Sequence, residues 1–161
     1  MSIYWIGFEG ARLGIMARPR GNDWLVDDLR ALKCAGADVI VSALTAPEAE
    51  ELGLIEEAEG CAQNGLLFIP FPIEDRSLPA DSNEFEVFVN KLLEHSRKGR
   101  SVVVHCRAGI GRSSLVAAAV LTKMGLSADQ AFRLIEQARG RPVPDTLEQK
   151  KWVEHYSSLL G

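Results

Sequence analysis

The segment HCRAGIGRSS, residues 105–114, places a thiol, two glycines and two arginines between an apolar run and an apparent helix. Five residues separate Cys106 from Arg112. Gly109 and Gly111 permit positive φ, so successive backbone N–H groups can turn inward and form a nest for an anion. A helix that begins near Arg112 adds unpaired N–H groups and a partial positive charge. The segment is therefore predicted to hold an oxyanion such as phosphate.

Cys106 is the candidate nucleophile of this segment. Helix N-termini and nearby cations stabilise a thiolate, so Cys106 should be nucleophilic at neutral pH. The planar guanidinium of Arg112 can hold two phosphoryl oxygens at once, a geometry that lysine does not offer. The Ser113 hydroxyl is placed to hydrogen-bond to the thiolate and to ease its departure in a second step. The residues predicted to surround the phosphoryl group are Arg107, Ala108, Gly109, Ile110, Gly111 and Arg112.

Covalent phosphoryl transfer also needs an acid to protonate the leaving oxygen and a base to activate water. No titratable group inside the segment suits both tasks. The polar loop that leaves an earlier apolar run carries Glu74 and Asp75, and we assign both tasks to Asp75. On spacing alone, an ordinary turn residue is the competing interpretation of Asp75.

The elements around this segment predict an α/β fold. The apolar runs 39–44, 66–73 and 101–105 are typical of buried parallel strands, and residues 2–7 and 13–17 read as two further short strands. Helical patterns occupy most of the chain between them, with Asp23 as the predicted N-cap of the first helix. Alternating strands and helices imply a central, mainly parallel sheet with helices on both faces and ligands at the carboxyl ends of the strands. The acidic residues between Pro47 and Asn64 are interpreted as a solvated helix face.

Composition limits the alternatives. The length of 161 residues favours one domain spanning 1–161. A net charge of −4 gives no general attraction to nucleic acid or anionic lipid, and no apolar stretch approaches the roughly 18 residues of a membrane span. The three cysteines form no CxxC pair, which argues against a disulfide framework or zinc site and favours a cytoplasmic location. Cys34 and Cys61 are interpreted as packing residues.

HCRAGIGRSS resembles the signature of the cysteine-dependent protein tyrosine and dual-specificity phosphatases, which reads His-Cys, five residues, Arg, then Ser or Thr. PIEDRSLP, residues 72–79, resembles the acid-bearing loop of the small atypical dual-specificity members. The resemblance implies a phosphocysteine on Cys106, phosphate binding by Arg112 and the amides of residues 107–112, acid and base catalysis by Asp75, and an orienting role for His105. It implies no metal and no organic cofactor.

Two segments depart from the pattern of that family. VPDTLEQ, residues 143–149, resembles the family's water-positioning Gln-Thr-x-Glu-Gln segment, in which Gln149 would help to place the hydrolytic water. Asp145 stands where the first glutamine of that segment is expected. Arg76 and Ser77 stand in the acid-bearing loop where close relatives often have glycines.

The leading interpretation is a monomeric phosphatase that hydrolyses phosphotyrosine, with phosphoserine and phosphothreonine open, on phosphorylated proteins. A phosphoinositide, a nucleotide or another small phosphate ester is the alternative substrate. Only Arg107 adds charge inside the loop and Ile110 is apolar, which favours proteins. The presence of Cys106, Arg112 and Asp75 argues against an inactive phosphoprotein-binding module, and the five-residue spacing argues against a sulfurtransferase or an arsenate reductase.

Overall fold

The computed structural model describes residues 2–160, which contain five strands in one sheet. The strands are β1 (Tyr4–Ile6), β2 (Leu13–Ala17), β3 (Val39–Ser42), β4 (Leu67–Pro70) and β5 (Val102–Cys106). Their order across the sheet is β1-β2-β5-β3-β4. β1 pairs with β2 in the antiparallel sense, whereas the other three pairings are parallel. The predicted α/β architecture with a mainly parallel sheet is confirmed.

Seven α-helices in the described part of the chain cover the two faces of the sheet. They are α1 (Leu25–Cys34), α2 (Ala46–Glu51), α3 (Glu57–Gln63), α4 (Ser82–Arg97), α5 (Arg112–Lys123), α6 (Ala128–Arg139) and α7 (Leu147–Ser158). Asp23 is not the N-cap of α1, because it lies inside a 3₁₀ turn at Asn22–Trp24 that precedes the helix. The N-cap of α1 is Trp24, which makes no side-chain hydrogen bond to the helix. Within residues 2–160, no helix is both long enough and apolar enough to cross a membrane.

Side chains of the central strands alternate between two hydrophobic cores. In β5, Val102 and Val104 pack in a core with α4 to α7, whereas Val103 packs in a second core with α1 and α3. β3 repeats the alternation, because Val39 and Val41 belong to the first core and Ile40 to the second. Successive side chains of a strand point to opposite faces, so this pattern requires a sheet covered on both sides.

The register of the sheet brings the chemically important strand ends to one edge. β5 lies between β2 and β3, with Cys106 opposite Ala17 and His105 opposite Ser42. α5 follows after the loop of residues 107–111 and is buried from Arg112 to Thr122. Its small residues allow this close packing, since the three alanines from Ala117 to Ala119 are fully buried. The position of Arg112 is therefore fixed by the best-packed helix of the protein.

Candidate active site

The loop of residues 107–111 joins the last residue of β5, Cys106, to the first residue of α5. Gly109 has φ +70°, and a Cβ atom on it would lie 2.5 Å from the backbone nitrogen of Ala17. Both observations require glycine at this position. Gly111 differs from the prediction, because its φ is −84°. A Cβ on Gly111 would lie 2.3 Å from Asp145 Oδ2, so a larger residue here would require the exposed Asp145 side chain to move.

Donors from outside the loop hold its backbone carbonyls. The N–H of Arg18 donates to the carbonyl of Arg107 at 3.3 Å. The guanidinium of Arg139 donates from Nε to the carbonyl of Gly109 at 3.0 Å and from Nη2 to that of Ala108 at 3.4 Å. In a trans peptide the N–H points away from the carbonyl, so the following amides point away from these donors. This arrangement is the one expected of a nest of N–H groups for an anion at the N-terminus of α5.

Cys106 is buried with its Sγ 3.3 Å from Ser113 Oγ. Ser113 belongs to the first turn of α5, whose N-cap makes no side-chain hydrogen bond. A thiolate at this place would accept a hydrogen bond from the Ser113 hydroxyl and would face the positive end of the helix. The two residues that the sequence paired are thus in contact.

Arg112 is buried to 1% exposure, and four groups accept its guanidinium protons. Nη1 donates to Glu48 Oε1 at 2.7 Å and to the Ile73 carbonyl at 2.8 Å, with the Ala43 carbonyl at 3.4 Å. Nη2 donates to Glu48 Oε2 at 3.0 Å and to Asp75 Oδ1 at 3.2 Å. The Nη1–Nη2 edge of the fork is therefore occupied by a carboxylate. The edge formed by Nε and Nη2 is the one that a phosphoryl group can use, provided that Asp75 leaves Nη2.

Glu48 is a site residue that the sequence interpretation assigned to a solvated helix face, and this was wrong. It lies at the third position of α2, where it forms a capping box with Thr45. Its carboxylate holds Arg112 with both oxygens and lies 3.4 Å from Nε of Arg107. Burial alone would raise the pKa of Glu48, but the hydrogen bonds from Arg112 and Thr45 outweigh it and lower the pKa to about 2. Glu48 therefore stays ionised and fixes the orientation of Arg112.

We expect Glu48→Gln to lower the free energy of unfolding at pH 7 by about 1–3 kcal/mol, because it leaves the buried Arg112 without its anionic partner. The ordinary pKa of 4.5 is lowered to about 2 in the folded protein, so the ionised carboxylate contributes stability above pH 4.5. That contribution is lost as the pH falls towards 2. Urea titrations of both proteins across this pH range should therefore show that their difference in free energy of unfolding becomes smaller as the pH falls.

Glu51→Gln is the matched control for this experiment. Glu51 also lies on α2, but its side chain is 70% exposed and its contact with Arg107 is long, at 3.5 Å. Such an exposed pair contributes little, so its loss should change stability by less than about 0.5 kcal/mol. Equal effects of the two substitutions, or a Glu48→Gln difference that does not depend on pH, would show that Glu48 does not anchor Arg112.

Asp75 lies in the loop after β4 and reaches the same site through Arg112. Its side chain is 53% exposed, so solvent and substrate can both approach it. The turn that presents it is closed by a hydrogen bond from Ser77 N–H to the carbonyl of Glu74 at 3.0 Å. Arg76 adopts φ 58° in this turn, a left-handed conformation that glycine and asparagine adopt more readily than other residues.

Gln149 is buried, and its amide is engaged at both ends. Oε1 accepts the N–H of Thr146 at 3.2 Å, and the Thr146 hydroxyl accepts the N–H of Gln149 in return. Nε2 donates to the carbonyl of Ser77 at 3.1 Å. Gln149 therefore caps α7 and ties that helix to the loop that carries Asp75.

His105 is completely buried beside the candidate nucleophile, and it contacts an acidic residue that the sequence did not single out. Its Nε2 lies 2.6 Å from Oε2 of Glu57, a residue of α3 that is 2% exposed. Nδ1 of His105 has no hydrogen-bond partner among the described residues. The pair fixes the ring of His105 and joins α3 to the base of the loop, which fits the orienting role predicted for His105.

The remaining cysteines lie away from this loop. Cys61 is buried, and burial together with the charge of Glu57 raises the pKa of its thiol to about 12. It is the packing residue that the sequence predicted. Cys34, at the end of α1, is exposed, so the packing interpretation of that residue was wrong. No cluster of three or more His, Cys, Asp or Glu side chains between residues 2 and 160 is arranged to hold a metal ion.

Comparison with protein families and curated sequences gives a consistent result. The family model described as "Dual specificity phosphatase, catalytic domain" matches residues 51–158. Rat cyclin-dependent kinase inhibitor 3 is 25% identical over 136 residues, which cover 83% of this chain. The match covers 64% of the rat protein, so this chain spans less than two thirds of that relative.

Solved structures show the same fold. A kinase associated phosphatase with its catalytic-site cysteine changed to serine superposes with a TM-score of 0.89 at 23% identity, covering 99% of this chain and 96% of the other. PTPMT1 in complex with PI(5)P superposes with a TM-score of 0.76 at 17% identity, covering 92% and 91% of the two chains. At such low identity these likenesses establish the architecture alone.

Proposed function

The chain belongs to the dual specificity phosphatase family, and from this premise we propose that it hydrolyses phosphate monoesters through a phosphocysteine intermediate on Cys106. The observation that carries the proposal is the buried Cys106 at the end of β5, 3.3 Å from Ser113 and directly before the N-terminus of α5. A nucleophile, an anion-binding helix end and an arginine fork are combined there within eight residues of sequence.

In the first step, the Cys106 thiolate attacks phosphorus and the bond from phosphorus to the substrate oxygen breaks. Asp75 donates its proton to that leaving oxygen. The amides of residues 107–112 and the Nε–Nη2 edge of Arg112 bind the phosphoryl oxygens, where charge builds up in the transition state. In the second step, water attacks phosphorus, the phosphorus–sulfur bond breaks, and Asp75 takes a proton from the water.

The contact between Asp75 and Arg112 links substrate binding to the acid. In the substrate-free protein the Asp75 carboxylate accepts a hydrogen bond from Nη2 of Arg112 at 3.2 Å. A phosphoryl group that enters the Nε–Nη2 edge takes over the Nη2 donor and brings negative charge next to Asp75. Asp75 is then released from Arg112 and can approach the leaving oxygen that it protonates in the first step.

The surroundings of Arg107 support protein substrates over phosphoinositides. A lipid headgroup with several phosphates would need further cations inside the loop. Arg107 is the remaining cation there, and it already lies 3.4 Å from Glu48 and 3.5 Å from Glu51. We therefore propose phosphotyrosine on proteins as the substrate, with phosphothreonine and phosphoserine as further candidates. The name of the kinase associated phosphatase makes a phosphorylated kinase one candidate among such proteins.

We further propose that residues 1–161 act as one catalytic domain and as a monomer in the cytoplasm. A single sheet with a core on each face supports the one-domain interpretation. The three cysteines are free, which suits a reducing compartment.

Phosphate release from a panel of substrates tests the proposed substrate class. The panel contains phosphotyrosine, phosphothreonine and phosphoserine peptides, a soluble phosphoinositide and a nucleotide, all with EDTA present. We expect turnover of phosphotyrosine peptides that EDTA does not inhibit. Turnover of only the lipid or the nucleotide would contradict the proposal of a protein substrate, but it would be consistent with the phosphocysteine mechanism. If no substrate is turned over, the proposed catalytic activity is contradicted and a phosphoprotein-binding module is favoured.

A further inference from the structure

An apolar cavity of about 290 Å³ lies between the α2–α3 segment and the end of β4, and the proposed mechanism does not use it. Its lining includes the buried Leu44 and Leu54 and the half-buried Phe68. Ile55 also lines the cavity and is 71% exposed, so the cavity opens to solvent. Open apolar cavities with a few polar groups are the usual form of a binding site.

The polar residues of the lining are Ser42, Thr45 and Glu57. Ser42 Oγ accepts the N–H of Leu44 at 3.3 Å, so this oxygen is already engaged. Glu57 is 2% exposed, and its Oε2 lies 2.6 Å from Nε2 of His105. Oε1 of Glu57 accepts no hydrogen bond from another residue in the part of the chain that the structure describes. A nearly buried carboxylate oxygen without a donor is best satisfied by a donor on a ligand.

The surface around the cavity is negatively charged. Residues 45–64, which form one side of it, contain six glutamates and no lysine, arginine or histidine. Three of these glutamates contact basic side chains of the site described above. The other three are exposed and form no ion pair with a residue between 2 and 160: Glu50, Glu56 and Glu59. Unpaired negative charge beside an apolar cavity favours a partner segment that combines lysine or arginine with a large apolar side chain.

The cavity adjoins two elements that the mechanism requires. α2 contributes to its lining and also carries Glu48, which holds the catalytic arginine. Another part of the lining is Pro72, which follows β4 and leads into the loop of Asp75. The cavity is therefore within reach of a polypeptide whose phosphotyrosine is bound at Cys106.

We propose that this cavity docks the protein substrate through a segment in which a large apolar side chain stands next to lysine or arginine. This inference rests on the proposed function and narrows its substrate class. The apolar side chain fills the cavity, and the basic side chains pair with the exposed glutamates around it or with the free oxygen of Glu57. Such a contact is made equally in the ground state and the transition state, so it should lower KM and leave kcat nearly unchanged.

Phosphotyrosine peptides that carry Arg-Leu-Lys about 3 to 12 residues before or after the phosphotyrosine test the inference, because this range reaches up to about 40 Å. Two matched series carry Arg-Ser-Lys or Glu-Leu-Glu at the same places. We expect at least one Arg-Leu-Lys peptide to have a KM about 10-fold lower than both matched peptides. Ala58→Lys puts an alkyl chain and a cation on an exposed lining residue, and it should abolish this difference. Ile55→Ser removes apolar surface at an exposed position and should reduce it.

Glu154→Gln is the matched control, because it changes the net charge by the same amount as Ala58→Lys at an exposed position of α7. It should keep the KM difference, and all three variants should hydrolyse p-nitrophenyl phosphate at the wild-type rate. Equal KM values for the Arg-Leu-Lys and Arg-Ser-Lys peptides at every position, or a difference that survives Ala58→Lys, would overturn the inference.

Light scattering distinguishes another occupant of the cavity. A wild-type dimer that becomes a monomer in Ala58→Lys would show that a second copy of the chain covers the cavity, and this would also overturn the inference. Failure of the proposed function would look different, since the wild type would then hydrolyse neither p-nitrophenyl phosphate nor any phosphotyrosine peptide in a Cys106-dependent manner.

Discussion

Cys106→Ser should reduce phosphate release by about 10⁴-fold or more, because a serine hydroxyl at this place is not ionised and cannot replace the thiolate as nucleophile. The substitution changes one buried atom beside Ser113, so the fold should remain. Arg112 and the loop amides are also unchanged, and the variant should still bind a phosphotyrosine peptide. Phosphate release and peptide binding by calorimetry would measure the two effects.

Cys34→Ser serves as the control for this change, since Cys34 is exposed at the end of α1 and far along the chain from the loop. It should keep full activity. If Cys106→Ser keeps wild-type activity, the proposed covalent mechanism through Cys106 is contradicted. Loss of both activity and the circular dichroism spectrum of the fold would make Cys106 a structural residue.

Asp75→Asn should lower kcat by about 10²- to 10⁴-fold with little change in KM, because the lost proton transfer acts only in the transition state. The loss should be larger for a phosphopeptide than for p-nitrophenyl phosphate. A nitrophenolate leaving group needs little protonation, whereas a tyrosine oxygen needs more. Asparagine keeps an oxygen that can accept from Nη2 of Arg112, so the architecture around the arginine should be retained.

Glu74→Gln tests whether the effect belongs to Asp75, because Glu74 is the neighbouring exposed carboxylate on the same loop. We expect nearly normal kcat for that variant. If Asp75→Asn instead raises KM and leaves kcat unchanged, Asp75 binds substrate and is not the acid. If the loss is the same for both leaving groups, proton donation is not its role.

The local part of the site was predictable because the residues from Cys106 to Ser113 are consecutive. A strand that ends at Cys106 and a helix that begins at Arg112 put the thiol and the helix N-terminus together without help from the rest of the chain. Asp75 required one further step, the expectation that strands of a parallel sheet end at one edge. Its contact with Arg112 at 3.2 Å agrees with that expectation.

The partners that hold these residues were not predictable in the same way. Glu48 and Glu57 lie 64 and 48 residues from Arg112 and His105, the residues that they contact. In sequence they belong to a segment rich in Glu and Ala, where periodicity predicts a solvated helix face. The carboxylates are largely withdrawn from solvent because the fold places them against Arg112 and His105, which is a tertiary effect.

The detailed roles of small and polar residues also depend on tertiary contacts. Gly111 was predicted to supply positive φ, but its φ is −84°, and the Asp145 side chain lies against its Cα instead. The water-placing role of Gln149 stays a prediction, and the sequence did not indicate that its amide also caps α7 and holds the Asp75 loop. In both cases residue type indicated importance, whereas the physical reason came from a neighbour more than 30 residues away.

Mass spectrometry of the protein quenched with acid during turnover of a phosphotyrosine peptide is the decisive test of the phosphocysteine intermediate. We predict that the peptide containing Cys106 gains the mass of one phosphoryl group, and that the gain is absent from Cys106→Ser and from wild type without substrate. Turnover of the peptide with no phosphoryl group on Cys106, or with the group on another residue, would contradict the phosphocysteine mechanism.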